Sequence, residues 1–242
     1  YEKYNFIEMK KVEPLLGIQK DLSKLPYQEG LLIEMLHSKE GYHFFCYPMA
    51  GRTIHEGLAM LVSYRFSKFR NLTCSIAMND YGFELLSDEP FPLDEALEED
   101  LFGLENLVHD LYEANNFNQM SEKRFTNIAS IAGLLYKGTP NEPVKSSHLN
   151  THAKLFYKVF NSYEPDNLLL KQAQEEVIYN QLEHKRIVDL FQDIAEEGIC
   201  VQHISRPTPF CFPIMVDRLR ETMSTEKIED RVRKMLNEVS FD

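Results

Sequence analysis

Four short apolar segments in the first third of the chain are typical of β-strands. They span residues 31–36, 42–47, 73–78 and 83–86. Turn residues at 38–41 and 79–82 join them in pairs, which predicts two hairpins. Between the hairpins, residues 51–70 repeat their apolar side chains at helical spacing. The predicted order is β-β-α-β-β, with the helix on one face of a small antiparallel sheet.

Helical spacing dominates the chain from Leu93 onward. The helices predicted there cover residues 104–114, 121–135, 148–163, 166–184 and 187–195, and a last helix follows residue 225. Asp166 is predicted to cap its helix, and Ser224 or Thr225 to cap the last one. Residues 199–204 form a lone strand that must pair with the earlier sheet. Near the beginning, residues 7–22 form an amphipathic helix that we expect Pro14 to interrupt.

These elements predict an α+β fold, in which a small antiparallel β-sheet or partial barrel packs with a mostly helical C-terminal half. We divide the chain into a sheet subdomain, residues 1–90, and a mainly helical subdomain, residues 91–242, whose strand 199–204 returns to the sheet. Because the chain starts at Tyr1 without a secretory signal, we expect it to be a piece of a longer protein.

Residues 206–220 (RPTPFCFPIMVDRLR) are the most distinctive stretch. Each proline fixes its own φ and disfavours helix in the preceding residue. We therefore expect residues 206–212 to be stiff and extended, with Pro213 at the first helical position. Such a segment either clamps the last helices onto the sheet through Phe210 and Phe212, or holds Arg218 and Arg220 ready for an anion.

The net charge of −12 argues against indiscriminate nucleic-acid binding, because phosphate contacts need a local excess of Lys and Arg. The charge is uneven, however. No Lys or Arg occurs between Asp88 and Asp110, whereas basic residues gather at 65–70, 123–124 and 206–220. A basic face on an acidic molecule is therefore compatible with the composition. Four scattered cysteines favour buried thiols in a reducing cytoplasm, and no long uncharged apolar run predicts a membrane span.

Catalytic and metal motifs are weak. The chain has no phosphate-binding glycine-rich loop, so it cannot bind a nucleotide by those routes. His55 and Glu56 begin a zinc-protease pattern that fails at Ala59. His148 and His152 share a helical face but lack a third ligand, so no metal site is predicted. No spacing indicates a catalytic triad, and we assign no catalytic residue.

The loop from Gly51 into the following helix is a candidate anion contact, because backbone N–H groups and Arg52 would point at an anion there. The alternative is a turn that needs glycine, with Arg52 in a structural ion pair. Arg65 interrupts the apolar stripe of the same helix and is expected to extend to solvent, to pair with a carboxylate or to mark a site.

Four blocks of sequence resemble a known family. They are residues 41–57 (GYHFFCYPMAGRTIHEG), 123–133 (KRFTNIASIAG), 163–170 (YEPDNLLL) and 206–233, which continues from the proline-rich stretch to STEKIEDRVR. In this order they resemble the C-terminal DEAD/H-associated region of the ligase-associated DEXH-box, Lhr-like superfamily 2 DNA helicases of bacteria.

The resemblance implies a parent ATP-dependent helicase that moves on single-stranded DNA in DNA repair. Its two motor lobes, which bind ATP and Mg²⁺, and its winged-helix domain would lie outside this chain, so the chain itself would hold no cofactor. Implied partners are single-stranded DNA, those motor and winged-helix domains, and a DNA ligase and nuclease of the same pathway; the location is cytoplasmic. The residues in matching blocks that would meet DNA are Arg52, His55, Arg124, Arg206, Arg218 and Arg220. Stacking on bases would use Tyr47 or Phe210.

Three functions are compatible with these observations. The first is an accessory domain that grips single-stranded DNA and couples translocation to unwinding. The second is an interaction module that packs on the motor lobes, with structural arginines; burial of Arg218 and Arg220 against carboxylates would favour it. The third is a DNA glycosylase-like activity with Glu164, Asp166 or Asp217 as the acid, on fold analogy alone.

Overall fold

The computed structural model describes residues 7–26, 30–136, 138–139, 142–221 and 227–239. The chain forms two compact units. Unit 1 contains Tyr1–Leu104 and Ile187–Asp242, and unit 2 contains Glu105–Arg186. The domain boundary proposed after residue 90 stays a prediction. None of the helices in the described ranges combines the length and apolar character that crossing a bilayer requires.

The helices and strands are as follows. The strands are β1 Leu31–Ser38, β2 Gly41–Cys46, β3 Ser75–Met78, β4 Phe83–Ser87, β5 Gly138–Thr139, β6 Glu142–Pro143 and β7 Ile199–Ile204. The helices are α1 Ile7–Leu22, α2 Arg52–Ser67, α3 Leu93–Glu98, α4 Leu107–Glu113, α5 Asn115–Ile131, α6 Ser146–Tyr163, α7 Leu168–Glu176, α8 His184–Glu197, α9 Cys211–Glu221 and α10 Ile228–Val239, with a π-helical turn at Val177–Gln181.

Unit 1 is built on a five-stranded sheet in the order β3-β4-β2-β1-β7. The two predicted hairpins form antiparallel pairs, and β2 joins them by pairing with β4. The late strand β7 returns to this sheet, as predicted, and pairs there with β1, but it runs parallel to β1, so the sheet is mixed rather than antiparallel. The predicted α+β class is confirmed. The sheet stays open and does not close into the barrel considered as its alternative form.

Helices cover both faces of this sheet. Phe44 and Phe45 are consecutive on β2 and therefore point to opposite faces. Phe44 packs edge-on against Phe66 of α2, with ring centroids 5.3 Å apart. Phe45 belongs to the other face, where Ile214 and Met215 of α9 complete a buried apolar cluster. The apolar residues on one face of β2 therefore pack against α2, and those on the other face pack against α9.

Proline behaves differently from the prediction in two helices. Helix α1 runs through Pro14 without interruption. Lys10, whose carbonyl loses its intrahelical N–H partner there, is exposed, so water can satisfy that carbonyl. Helix α9 begins at Cys211 rather than at Pro213, and Phe212 N–H already donates to Thr208 O at 3.0 Å. A proline is tolerated in a first helical turn, where N–H groups have no partner within the helix.

Unit 2 is a small helical assembly around Phe125 of α5. Its buried cluster includes Ile128, Ala153, Tyr157 and Leu170, contributed by α5, α6 and α7. The N-cap of α7 is Asn167, whose side chain accepts from Leu169 N–H at 3.0 Å. Asp166, predicted as this cap, instead accepts from exposed Lys171 at 2.6 Å, so that assignment was wrong by one residue. The predicted caps Ser224 and Thr225 lie outside the described residues.

Candidate nucleic-acid interface

The loop that follows β2 is locked to the β3–β4 turn by His55. The His55 ring is fully buried, its Nδ1 donates to Asn79 O at 2.7 Å, and its Nε2 accepts from Ala50 N–H at 3.1 Å. Burial lowers the pKa of His55, although the bond to Asn79 and the charge of Asp80 act in the opposite direction. Because both ring nitrogens are engaged inside the protein, His55 holds the loop rather than offering an atom to a ligand.

Two exposed side chains, Arg52 and Tyr81, adjoin this loop in the chain or in the turn to which it is bonded. Arg52 is exposed at the first position of α2, directly after Gly51, whose φ of +93° suits only glycine. Tyr81 is 62% exposed in the adjoining turn, where its carbonyl accepts from Met49 N–H at 3.1 Å. A cation and an aromatic ring are the side chains that bind phosphates and bases of single strands. Tyr81 lies outside the resembling blocks and was missed by the sequence analysis.

Arg218 of α9 is engaged by two carboxylates. Its Nε donates to Glu84 at 3.1 Å, and its terminal nitrogen bonds Glu40 in the β1–β2 turn. Desolvation acts to lower the pKa of Arg218, but the charges of Glu84 and Glu40 outweigh it and raise that pKa. The other oxygen of Glu84 bonds His43 Nδ1 at 2.6 Å. The guanidinium therefore neutralises a carboxylate that the sheet buries completely.

Arg206 and Arg220 differ from Arg218 by their exposure. Arg220 pairs with Asp217 at 3.1 Å on the surface of α9, with 65% of its side chain exposed. Arg206 is exposed directly after β7. In unit 2, Arg124 bonds Glu176 and keeps 43% of its side chain exposed. These three guanidinium groups are accessible to solvent, and two of them each pair with a carboxylate of their own, Asp217 for Arg220 and Glu176 for Arg124.

The structure does not gather the six predicted residues at one point. In unit 1, Arg52 and His55 follow the end of β2, whereas Arg218 reaches Glu40 at the turn where β2 starts. Arg206 follows Ile204, which is in register with Leu36 near that same turn. The arginines of unit 1 therefore lie toward both ends of the sheet. Contact between these residues and DNA stays a prediction.

A buried polar cluster holds residues 205–210, here called the strap, against the sheet. Glu34 on β1 is fully buried and accepts from Gln19 Nε2 at 2.8 Å, Tyr47 OH at 2.7 Å and Thr208 Oγ1 at 2.8 Å. Phe210 N–H donates to Gln19 Oε1 at 3.1 Å. Glu34 thus links β1 to α1, to the residue that follows β2 and to the strap. No sequence motif marks it, because an acidic residue inside a strand is usually solvent-facing.

The aromatic side chains of Phe210 in the strap and Phe212 in α9 pack on the core. Phe210 packs on Tyr47 with ring centroids 5.9 Å apart, and Phe212 packs on the same apolar cluster. Tyr47 is buried, which raises the pKa of its hydroxyl, and its ring is not available to stack on a base. The clamping role expected for Phe210 and Phe212 agrees with these contacts, and the stacking role expected for Tyr47 does not.

The three candidate acids each have a polar partner from the protein. Glu164 accepts from Asn167 Nδ2 at 3.2 Å, Asp166 binds Lys171, and Asp217 binds Arg220. The Lys171 ammonium lowers the pKa of Asp166, which opposes a role as a proton donor. His148 and His152 are both exposed on α6. Within the described ranges, no three side chains of the metal-binding types come together.

The buried side chain of Arg65 binds backbone carbonyl groups of the protein. Its guanidinium donates to the carbonyls of Leu101 and Gly103 at 2.8 and 2.9 Å and lies 5.9 Å from the centre of the Phe191 ring. The position of this arginine in an apolar stripe thus reflects its role in fixing the loop after α3.

Comparisons with known proteins identify the family. The family model described as DEAD/H associated matches residues 25–211. The chain is 23% identical over 240 residues to an ATP-dependent helicase Lhr-Core of Methanocaldococcus jannaschii, covering 98% of this chain and 28% of that relative. It is 24% identical over 240 residues to the Lhr-Core protein 2 of Thermococcus barophilus, covering 97% and 28%. The chain therefore spans little more than a quarter of the length of these relatives.

A solved structure shows the same fold. The Mycobacterium smegmatis helicase Lhr bound to ssDNA and AMP-PNP superposes with a TM-score of 0.66 at 20% identity, over 82% of this chain and 26% of that one. The resemblance to Lhr-like helicases predicted from the sequence is confirmed. Since the family model covers well over half of its residues, the chain belongs to the DEAD/H associated family.

Proposed function

We propose that this chain is the accessory domain of a longer ATP-dependent DNA helicase and that it holds single-stranded DNA while the motor domains move along it. The match of the DEAD/H associated family to residues 25–211 carries this proposal. Unwinding in DNA repair, ATP and Mg²⁺ in the motor domains, and a ligase or nuclease as companions belong to the same proposal for the whole protein.

The exposed arginines are the proposed contacts. Arg52, Arg206, Arg220 and Arg124 present guanidinium groups at the surface, where a phosphate can bind without desolvating a core residue. Among the predicted residues, Arg218 and His55 act indirectly, because their polar atoms bind protein groups. Tyr81, whose carbonyl accepts from Met49 N–H in the loop before Arg52, is the proposed stacking residue in place of Tyr47.

A salt titration tests direct contact. We expect the 242-residue chain to retain an oligothymidylate in filter binding at low salt and to lose it as salt rises, because each phosphate contact releases counterions. Arg206→Gln with Arg220→Gln should lower the slope of log affinity against log salt by about 1.4. Lys10→Gln with Lys185→Gln removes the same charge from other exposed positions and should leave the slope unchanged.

Two results would reject direct DNA contact: no retention at low salt, or an affinity that does not depend on salt. The second candidate, an interaction module that packs on the motor lobes, would then hold. The ion pairs of Arg218 with Glu84 and Glu40 favour this candidate, since they give one of the arginines a structural role in place of a DNA contact. Co-purification of the chain with the separately expressed motor domains would support it.

A further inference from the structure

An apolar cleft in unit 1 has none of the proposed DNA contacts among its lining residues. It has a volume of about 320 Å³, within the range of sites that bind ligands or side chains. Two helices and the residues that follow them build its walls. The principal apolar lining residues are Leu97, Leu101, Phe102, Phe191, Ile194 and Ala195.

The cleft is held open by the fold around it. Arg65 fixes the loop after α3 from inside, through the carbonyls of Leu101 and Gly103. Phe102 meets the edge of Phe191 with ring centroids 5.7 Å apart. Asp100, which also lines the cleft, has a φ of +59° and accepts from Gly103 N–H at 2.8 Å through its carbonyl. The walls therefore do not need a ligand to take this shape.

Acidic residues, here called the acidic rim, lie in the lining of the cleft and next to its lining residues in sequence. Asp100 is exposed in its lining, and the lining residues are flanked in sequence by further exposed acids: Glu98, Glu99, Asp193, Glu196 and Glu197. Neither segment that builds the walls, residues 88–104 and 187–205, contains a Lys or an Arg. A negative rim of this kind repels nucleic acid and attracts a cationic partner.

We propose that this cleft docks a short amphipathic segment of a separate protein, whose apolar residues enter the cleft and whose Lys or Arg residues bind the acidic rim. Helix-in-groove binding of this type pairs apolar anchors with flanking charges. The exposed rim fits a reversible contact, because permanent interfaces are more uniformly apolar. The inference stands independently of the DNA proposal, which uses other residues.

Fluorescence anisotropy with two synthetic helical peptides tests whether the cleft prefers a cationic partner. Both peptides carry the same leucine stripe, and the polar positions hold lysine in one and glutamate in the other. We expect the full chain to bind the lysine peptide, with an affinity that falls as salt rises, and to bind the glutamate peptide at least about tenfold more weakly. Equal binding of both peptides, or of neither, overturns the proposal.

Matched variants locate the binding. Ala195 is exposed in the cleft, so Ala195→Trp fills the space without entering the core and should weaken the lysine peptide by at least about tenfold. Ala132→Trp, at an exposed alanine of unit 2, should have no effect. Asp100→Asn with Glu196→Gln should weaken binding and reduce its salt dependence, whereas Asp80→Asn with Glu229→Gln removes the same charge elsewhere and should not.

Unchanged affinity in the Ala195→Trp variant would overturn the proposal. So would sedimentation showing that the wild-type chain self-associates and that Ala195→Trp abolishes the association, since a second copy would then be the occupant. Retention of oligothymidylate by Ala195→Trp should equal that of the wild type. This last readout separates the two proposals, because either one can fail while the other holds.

Discussion

Glu34 and Glu84 place two carboxylates on one face of the sheet, in register with Phe45 between them. Both side chains are fully buried. A buried charge is tolerated only when it is paired or hydrogen-bonded. The protein satisfies Glu34 with neutral donors and Glu84 with the ring of His43 and the guanidinium of Arg218. Glu84 therefore depends on a cationic partner, whereas Glu34 is satisfied by neutral hydrogen-bond donors.

Replacing Arg218 tests its structural role at the level of one residue. Arg218→Ala removes the cation from buried Glu84 and should lower the free energy of unfolding by about 3 kcal/mol. Arg220→Ala removes an exposed pair and should change it by less than about 0.5 kcal/mol. Urea unfolding monitored by circular dichroism gives both values. Equal effects of the two variants would show that the Glu84 pair contributes no more than a surface pair.

His55 predicts how stability changes with pH. Its folded pKa is lowered by burial, so the unfolded chain binds a proton more readily than the folded one. The stability contributed by neutral His55 is therefore complete above the unfolded pKa of about 6.5 and is lost as the pH falls below it. His55→Gln should be less stable at neutral pH but should lose less stability than the wild type between about pH 7.5 and about pH 5.5.

Urea midpoints of the two proteins at both pH values measure this difference. His184→Gln serves as the control for removing a histidine that is not fully buried. A His55→Gln protein with the full wild-type pH dependence would assign the acid sensitivity to other groups.

At the scale of elements, Gly30 lets β1 start beside the end of α8. Its φ is +91°, and a Cβ there would lie 2.2 Å from Gly198 O. Gly30→Ala should therefore lower the free energy of unfolding by more than about 3 kcal/mol, because a backbone clash adds to the strain. Gly133→Ala, at a φ of +77° with open space around it, should cost only about 1–2 kcal/mol. Similar losses in the two variants would contradict the clash, and thermal or urea unfolding decides.

The apolar periodicity predicted the positions of the helices and strands well, but not the hydrogen bonds and strand direction that depend on the rest of the fold. The hairpins 31–47 and 73–87, the helix at 52–67 and the returning strand 199–204 follow from local apolar spacing and turn residues. Whether Pro14 breaks its helix depends on the exposure of a carbonyl, which no local pattern contains. The choice between Asp166 and Asn167 as a cap depends on one hydrogen bond. The parallel direction of β7 depends on the path of the long connection between β1 and β7, which local spacing does not specify.

The candidate site was harder to predict for the same reason. Family blocks pointed to Arg218 and His55, and the structure gives both of them structural partners that are distant in sequence. Glu84 and Glu40 lie 134 and 178 residues from Arg218, and Asn79 lies 24 residues from His55. Spacing along a sequence carries no information about such pairs. Exposure separates Arg52, Arg206 and Arg220 from them, and it becomes known only with the fold.

At the scale of the whole molecule, the net charge of −12 implies that added salt should change stability and DNA binding in opposite directions. Repulsion among excess acids destabilises a compact state, and salt screens it. We therefore expect the melting temperature to rise as sodium chloride increases to about 0.3 M, over the same range in which affinity for oligothymidylate falls. Differential scanning fluorimetry measures the first trend, with sucrose as an uncharged control. A melting temperature that falls with salt would show that attractive ion pairs outweigh the repulsion.

The hydrogen bond from Thr208 to Glu34 joins residues 174 positions apart. A ribosome releases the chain from its N-terminus, so β1 and β2 emerge long before β7, the strap and α9. During that interval, the β1 edge is unpaired and the sheet face around Phe45 lacks its cover, which are the features that chaperones bind and that cause aggregation. The domain completes its core only when its last helices leave the ribosome. Its yield in a cell therefore depends on how nascent chains are protected, and slow translation before residue 199 lengthens the exposure.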